Sequence, residues 1–168
     1  PAPDADSAYK FVHKQLTEPF SKIYAEKYLP ESVREDVLGM IADIVDYYRT
    51  MLAGEDWLSP ETREEAIDKL DHMRCYAAYP SEWSDFSALS IGTAEAGETL
   101  LSAQEKIDRF MNAQFIDCLG KPFDAEHDIM ADCLTVNAYY NPGSNSMHII
   151  GGILGGAFYD PARHDGEQ

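Results

Sequence analysis

The residues Leu134-Thr135-Val136-Asn137-Ala138-Tyr139-Tyr140, then Asn141-Pro142-Gly143-Ser144-Asn145 and Met147-His148-Ile149-Ile150, decide how the chain folds. Leu134, Val136, Ala138 and Tyr140 alternate with Thr135, Asn137 and Tyr139, the period of a half-buried strand. The Asn-Pro-Gly-Ser-Asn cluster between the two apolar runs is turn chemistry, so the spacing predicts a β-hairpin. A lone hairpin is marginal in water, so this one must pack on helices or pair with another strand. An asparagine in mid-strand is disfavoured and asks for a reason. The Gly151-Gly152-Ile153-Leu154-Gly155-Gly156 stretch beyond it reads as a close-packed or flexible turn, and Ala162 to Gln168 read as unanchored.

Upstream the period changes from two to that of a helix. From Ala5 to Leu29, Tyr9, Val12, Leu16, Phe20, Ile23 and Tyr24 recur in steps of three and four, with Pro19 predicting a kink or restart and Thr17 available as a cap. Val33, Val37, Met40, Ile41, Ile44, Tyr48, Met51 and Leu52 keep helical spacing behind a Ser32-x-x-Glu35 capping box, with Gly54 as the stop. Ser59-Pro60-Glu61 starts a third helix. Tyr79 to Asp85 read as an irregular link, and a fourth helix running through Leu100, Ile107, Phe110 and Phe115 ends at Gly120-Lys121-Pro122. The expected fold is mainly α, about four helices with a C-terminal β-hairpin. One unit is expected, divided into a helical region 1–122, a hairpin and Gly-rich turn 123–160, and a tail 161–168.

The 168 residues carry thirteen Lys and Arg against thirty Asp and Glu, a net charge of -17. Such a balance repels phosphate backbones and anionic membrane surfaces and argues against nucleic-acid binding. No apolar run reaches the roughly 18 residues of a membrane span, and Pro1-Ala2-Pro3-Asp4 has no signal-peptide character. The compartment is left open, with the cytoplasm as the default expectation. Cys75, Cys118 and Cys133 form no C-x-x-C pair and read as free thiols, Cys133 as a small buried residue.

Zinc hydrolysis on a helix needs two histidines four residues apart with a carboxylate beside them. None of His13, His72, His127, His148 and His164 forms such a pair. Glu126-His127-Asp128 is the densest group of ligand types, but adjacent residues point apart. No Gly-x-Ser-x-Gly elbow and no P-loop lysine is present. Catalytic, cofactor-binding and metal residues are therefore none.

Thr135-Val136-Asn137-Ala138-Tyr139-Tyr140-Asn141-Pro142-x-x-Asn145, followed by Gly152-Ile153-Leu154 and Phe158-Tyr159, resembles the strand and turn of the neprilysin and endothelin-converting-enzyme family. Asp56-Trp57-Leu58-Ser59-Pro60-Glu61-Thr62-Arg63-x-x-Ala66-x-x-Lys69 and Tyr79-Pro80 are similar to that family's upstream helix and following turn, and Ile23-Tyr24-x-Glu26-x-Tyr28 to its opening helices. The resemblance implies part of a thermolysin-like zinc metalloendopeptidase domain acting on oligopeptides. It assigns Asn137 and Ala138 to substrate binding on an edge strand, where a peptide adds as a further strand. The alternative for Asn137 is a polar residue on the wet face of a hairpin.

Two departures stand out. Where the family continues Pro-Ala-Gly-Ile-Leu-Gln-Pro-Pro, this chain has Gly151-Gly152-Ile153-Leu154-Gly155-Gly156-Ala157, which predicts a looser turn, and a proline expected before the strand is Asp132. The family's His-Glu-x-x-His helix lies beyond the residues present. Zinc is thus implied for the full-length family, with none expected on this chain, which alone is expected to be inactive. The expected partners are an oligopeptide, the remainder of a peptidase chain and, through the strand edge, a second copy. The alternative function is a non-catalytic helical module that binds peptides on a peptidase-like scaffold.

Overall fold

Local chemistry places most of the helices. In the computed structural model, which describes residues 4–156 and 158–163, α1 (Ala5–Gln15) is capped by Asp4, whose carboxylate accepts the Ser7 N–H at 2.7 Å. α2 (Thr17–Tyr28) restarts after a break at Leu16, so Pro19 falls in its first turn, where a missing N–H costs no helical bond. Thr17 does not cap it; its hydroxyl donates back to the His13 carbonyl. α3 (Glu31–Gly54) starts behind Pro30 with no side-chain cap, so the Ser32-x-x-Glu35 box is not used, and it ends at Gly54 as expected.

α4 (Pro60–Asp71) is capped by Ser59, which accepts the Thr62 N–H. α5 (Leu100–Cys118) is capped by Thr99 and Ser102 bonding each other's backbone N–H groups, and it stops before Gly120 at φ 81°. The short α6 (His127–Met130) precedes the hairpin. None of the helices among the described residues is long and apolar enough to cross a membrane.

The hairpin forms from β2 (Ala138–Asn141) and β3 (Ser146–Ile150), and it finds a partner within the chain. β1 (Arg74–Ala78) pairs parallel with β3, giving a three-stranded sheet in the order β1-β3-β2. One sheet face, with Cys75, Ala77, Met147 and Ile149, packs on Val37 and Ile41 of α3. On the other, Ala78 joins Ala25, Leu29 and Cys133 in a second buried cluster.

β1 ends in a left-handed residue, Ala78 at φ 65°, which turns the chain abruptly toward Tyr79. Against this corner sits Gly151, where an added Cβ would lie 2.5 Å from Leu29 Cδ1 and 2.7 Å from the Ala78 carbonyl oxygen. At Gly152 a Cβ would lie 2.5 Å from the Leu134 carbonyl oxygen. Of the two readings of the run, close-packed holds for its first two glycines, and the looseness expected from the missing prolines does not, because the Leu29 side chain and the backbone of Ala78 and of residues 133–135 close on them. Within this run, Gly155 and Gly156 stand in open space. Ala157 and 164–168, with the outer part of the expected tail, lie outside the described residues; within the tail, the Arg163 N–H donates to the Asp160 carbonyl.

Candidate functional site

β2 is the outer strand of the sheet, and its register decides which groups face out. The Ile150 N–H donates to the Asn137 carbonyl at 3.1 Å, and Ala138 stands opposite Ile149. In an antiparallel ladder this makes Ala138 and Tyr140 the residues whose N–H and C=O turn away from β3. Asn137 does not sit in mid-strand as the alternation suggests but directly before Ala138. Asp132 is the cause: its carboxylate accepts the Leu134 N–H and the Thr135 hydroxyl, while Gly152, having no Cβ, leaves room for the Leu134 and Thr135 carbonyls to lie close against it. Residues 134–136 are thereby held off the sheet line, and Val136 is left 65% exposed.

The Asn137 side chain turns to the same open edge, where its Oδ1 accepts the Ala138 N–H at 2.9 Å. Asn137 and Ala138 are both exposed, and together they present an amide and a row of main-chain groups along one edge. The turn fixes the far end of that edge. Asn141 Oδ1 accepts the Gly143 N–H, and Asn145, at φ 47°, donates its amide to the Lys69 carbonyl at the end of α4. The Tyr140 hydroxyl donates to Asn145 Oδ1, and the Lys69 ammonium lies 5.5 Å from the Tyr140 ring centroid.

Behind Tyr139, His148 is wholly buried in the sheet between two tyrosines, its ring centroid 5.2 Å from those of Tyr76 and Tyr139. Its Nε2 bonds Ser146 Oγ at 2.7 Å, and its Nδ1 has no partner among the described residues. Burial pushes its pKa below the ordinary histidine value, only partly opposed by the field of Glu126. Neither His148 nor its tyrosine stack is visible in the sequence pattern, which marks only the alternation of β3.

The Glu126-His127-Asp128 group does not converge on one point, although His127 Nδ1 comes within 3.9 Å of the Asp128 carboxylate. Glu126 accepts the Ser81 N–H and pairs with Arg34, whereas His127 Nε2 bonds both Glu18 and Ser84 at 3.0 Å. Glu18 and Ser84 share one ring nitrogen, so the trio ties α2 to the 81–87 link rather than relaying a proton through the imidazole. Among the described residues no group of three His, Cys, Asp or Glu could hold a metal ion. Zinc therefore finds no donor set among the described residues. Cys133 is buried, with its thiol pushed up to about 11 by burial, which excludes it as a nucleophile near neutrality.

The model described as Peptidase family M13 matches residues 1–80. Over this stretch the chain is similar to peptidase family M13. It is 31% identical over 137 residues to a neutral endopeptidase of Lactococcus lactis, covering 81% of this chain and 21% of that protein. To neprilysin-1 of Trittame loki it is 30% identical over 146 residues, covering 82% and 20%.

Among solved M13 structures, a zinc metalloprotease of Mycobacterium tuberculosis in its open state superposes with a TM-score of 0.79 at 26% identity, over 93% of this chain and 23% of the other. PEPO from Lactobacillus rhamnosis gives 0.78 at 26% identity, over 95% and 25%. The fold is thus that of a segment of M13 peptidases, mostly helical with a small sheet, and the chain spans about a fifth to a quarter of the length of these relatives.

Proposed function

We propose that this chain is the part of an M13 zinc endopeptidase that holds an extended oligopeptide, with Asn137 and Ala138 binding its main chain along β2. The carrying observation is the unpartnered edge on which Ala138 and Tyr140 turn their backbone groups outward beside the Asn137 amide. A peptide strand gains ladder bonds there, and the amide supplies a donor and an acceptor of its own. Zinc, named for the relatives, has no donor set among the described residues, so peptide-bond cleavage falls to groups outside them.

Exposed apolar side chains at the two ends of α5 support a partner in the remainder of a peptidase chain: Leu100 and Leu101 at its start, and Phe115, Ile116 and the following Leu119 at its end, are 64–70% exposed. The test is Ala138→Pro. Its N–H makes no ladder bond to β3, so proline is compatible with the strand yet removes the donor a peptide needs. Binding of a fluorescent extended peptide to the 168-residue chain is expected to fall at least about tenfold, the loss of one backbone bond plus a steric block, with the β2–β3 ladder intact by amide exchange. Undiminished binding overturns the proposal. So does robust chelator-sensitive cleavage of a quenched peptide library by this chain with added zinc.

A further inference from the structure

The edge carries a charge that the backbone reading does not use. Lys69, at the end of α4, is exposed, makes no ion pair among the described residues, and rests its ammonium over the Tyr140 ring. In a chain with thirty acids, a lysine without a carboxylate partner beside an open strand is an unfilled place for one. Its position is set by covalently remote parts held together. Asn145 bonds the Lys69 carbonyl with its amide nitrogen and the Tyr140 hydroxyl with its amide oxygen, pinning the end of α4 to the hairpin.

The register says what Lys69 would meet. Tyr140 stands opposite Met147, on the sheet face that packs on α3. A peptide residue directly across from Tyr140 turns its side chain to that same face, within cross-strand contact distance of the tyrosine. The residue two places along lies across from Ala138, whose methyl group leaves room for a side chain of any size.

Resting on the edge-strand reading, we propose that Lys69 and Tyr140 form a subsite for an acidic side chain of the bound peptide, at the position opposite Tyr140. The ammonium moves from the ring face, a weak attraction for an exposed cation, to a carboxylate.

The protein's own field makes the test discriminating. A net charge of -17 disfavours any acidic peptide at long range, so non-specific electrostatics ranks a peptide with one Lys above one with Gln, and Gln above Glu. The subsite gives the opposite order for Glu and Gln. Fluorescent eight-residue Thr/Val peptides with a single central Glu, Gln or Lys are titrated with the 168-residue chain at 0.15 M salt, where distant charges are screened. The Glu peptide is expected to bind about two- to fivefold tighter than the Gln peptide, the range of a solvent-exposed ion pair.

Lys69→Gln is expected to remove the preference and Lys69→Glu to invert it toward the Lys peptide; the side chain is exposed, so both variants keep the fold. Binding of all three peptides without a Glu preference, or with one that survives Lys69→Glu, overturns the subsite and leaves the edge reading standing. No binding by any of them overturns both.

Discussion

Asn137 caps its own neighbour: its Oδ1 accepts the Ala138 N–H at 2.9 Å on the side of the strand that faces away from β3. An open edge is a template for any passing strand, and an amide laid over an outward N–H shields it until a better partner arrives. Asn137→Ala removes both the shield and the group proposed to bind peptide. Peptide affinity is expected to fall about two- to tenfold, the worth of one hydrogen bond. Sedimentation velocity of the same variant is expected to shift toward a dimer as concentration rises. Unchanged affinity returns Asn137 to a polar residue on a wet surface.

His148 makes stability depend on pH in a stated direction. Its folded pKa lies below the ordinary value of 6.5, so the unfolded chain binds the extra proton first. The stability it contributes is present above 6.5 and is lost as pH falls from there through the lowered folded value. His72 is raised by the Asp68 backbone and carboxylate and slopes the opposite way, so the contribution of His148 is read as a difference between proteins. Urea midpoints of the wild type are expected to drop between pH 7.5 and 5.5, and those of His148→Leu to drop less. Equal slopes for the two proteins would show that the imidazole is not held neutral between Tyr76 and Tyr139.

The elements that depend on neighbours along the chain are legible in the sequence. Ser59-Pro60 starts α4 and Gly120 follows the end of α5 because caps and left-handed stops are local chemistry. β1 is not legible: Arg74-Cys75-Tyr76-Ala77-Ala78 has no clean alternation, and only its parallel pairing with distant β3 makes it a strand. The position of Asn137 is misread for a related reason. The alternation over 134–137 is real, but Asp132 and Gly152 outweigh it with specific bonds and close packing. Of the candidate site, the edge strand is readable from the hairpin pattern. The pairing of Lys69 with Tyr140 is not, since no local rule joins the end of a helix to a strand so far along the chain.

Gly151 offers the sharpest check on how the edge strand is anchored, because β3 enters it directly from Ile150. A Cβ there would lie 2.5 Å from Leu29 Cδ1, 2.7 Å from the Ala78 oxygen and 3.0 Å from the Cys133 oxygen. Leu29 can shift as a side chain, but the two carbonyls belong to backbone, and one of them is held by the left-handed Ala78. Gly151→Ala is therefore expected to cost about 1–3 kcal/mol by overpacking, measured by urea unfolding. Gly155, with nothing within 4 Å of an added Cβ, is the internal control. Gly155→Ala is expected to be neutral, or stabilising by up to about 1 kcal/mol through a less flexible unfolded chain. If the two substitutions have equal effects, the backbone does not close on Gly151 as described. The corner that fixes β3, and through it the outward register of Ala138, then has to be held by something else.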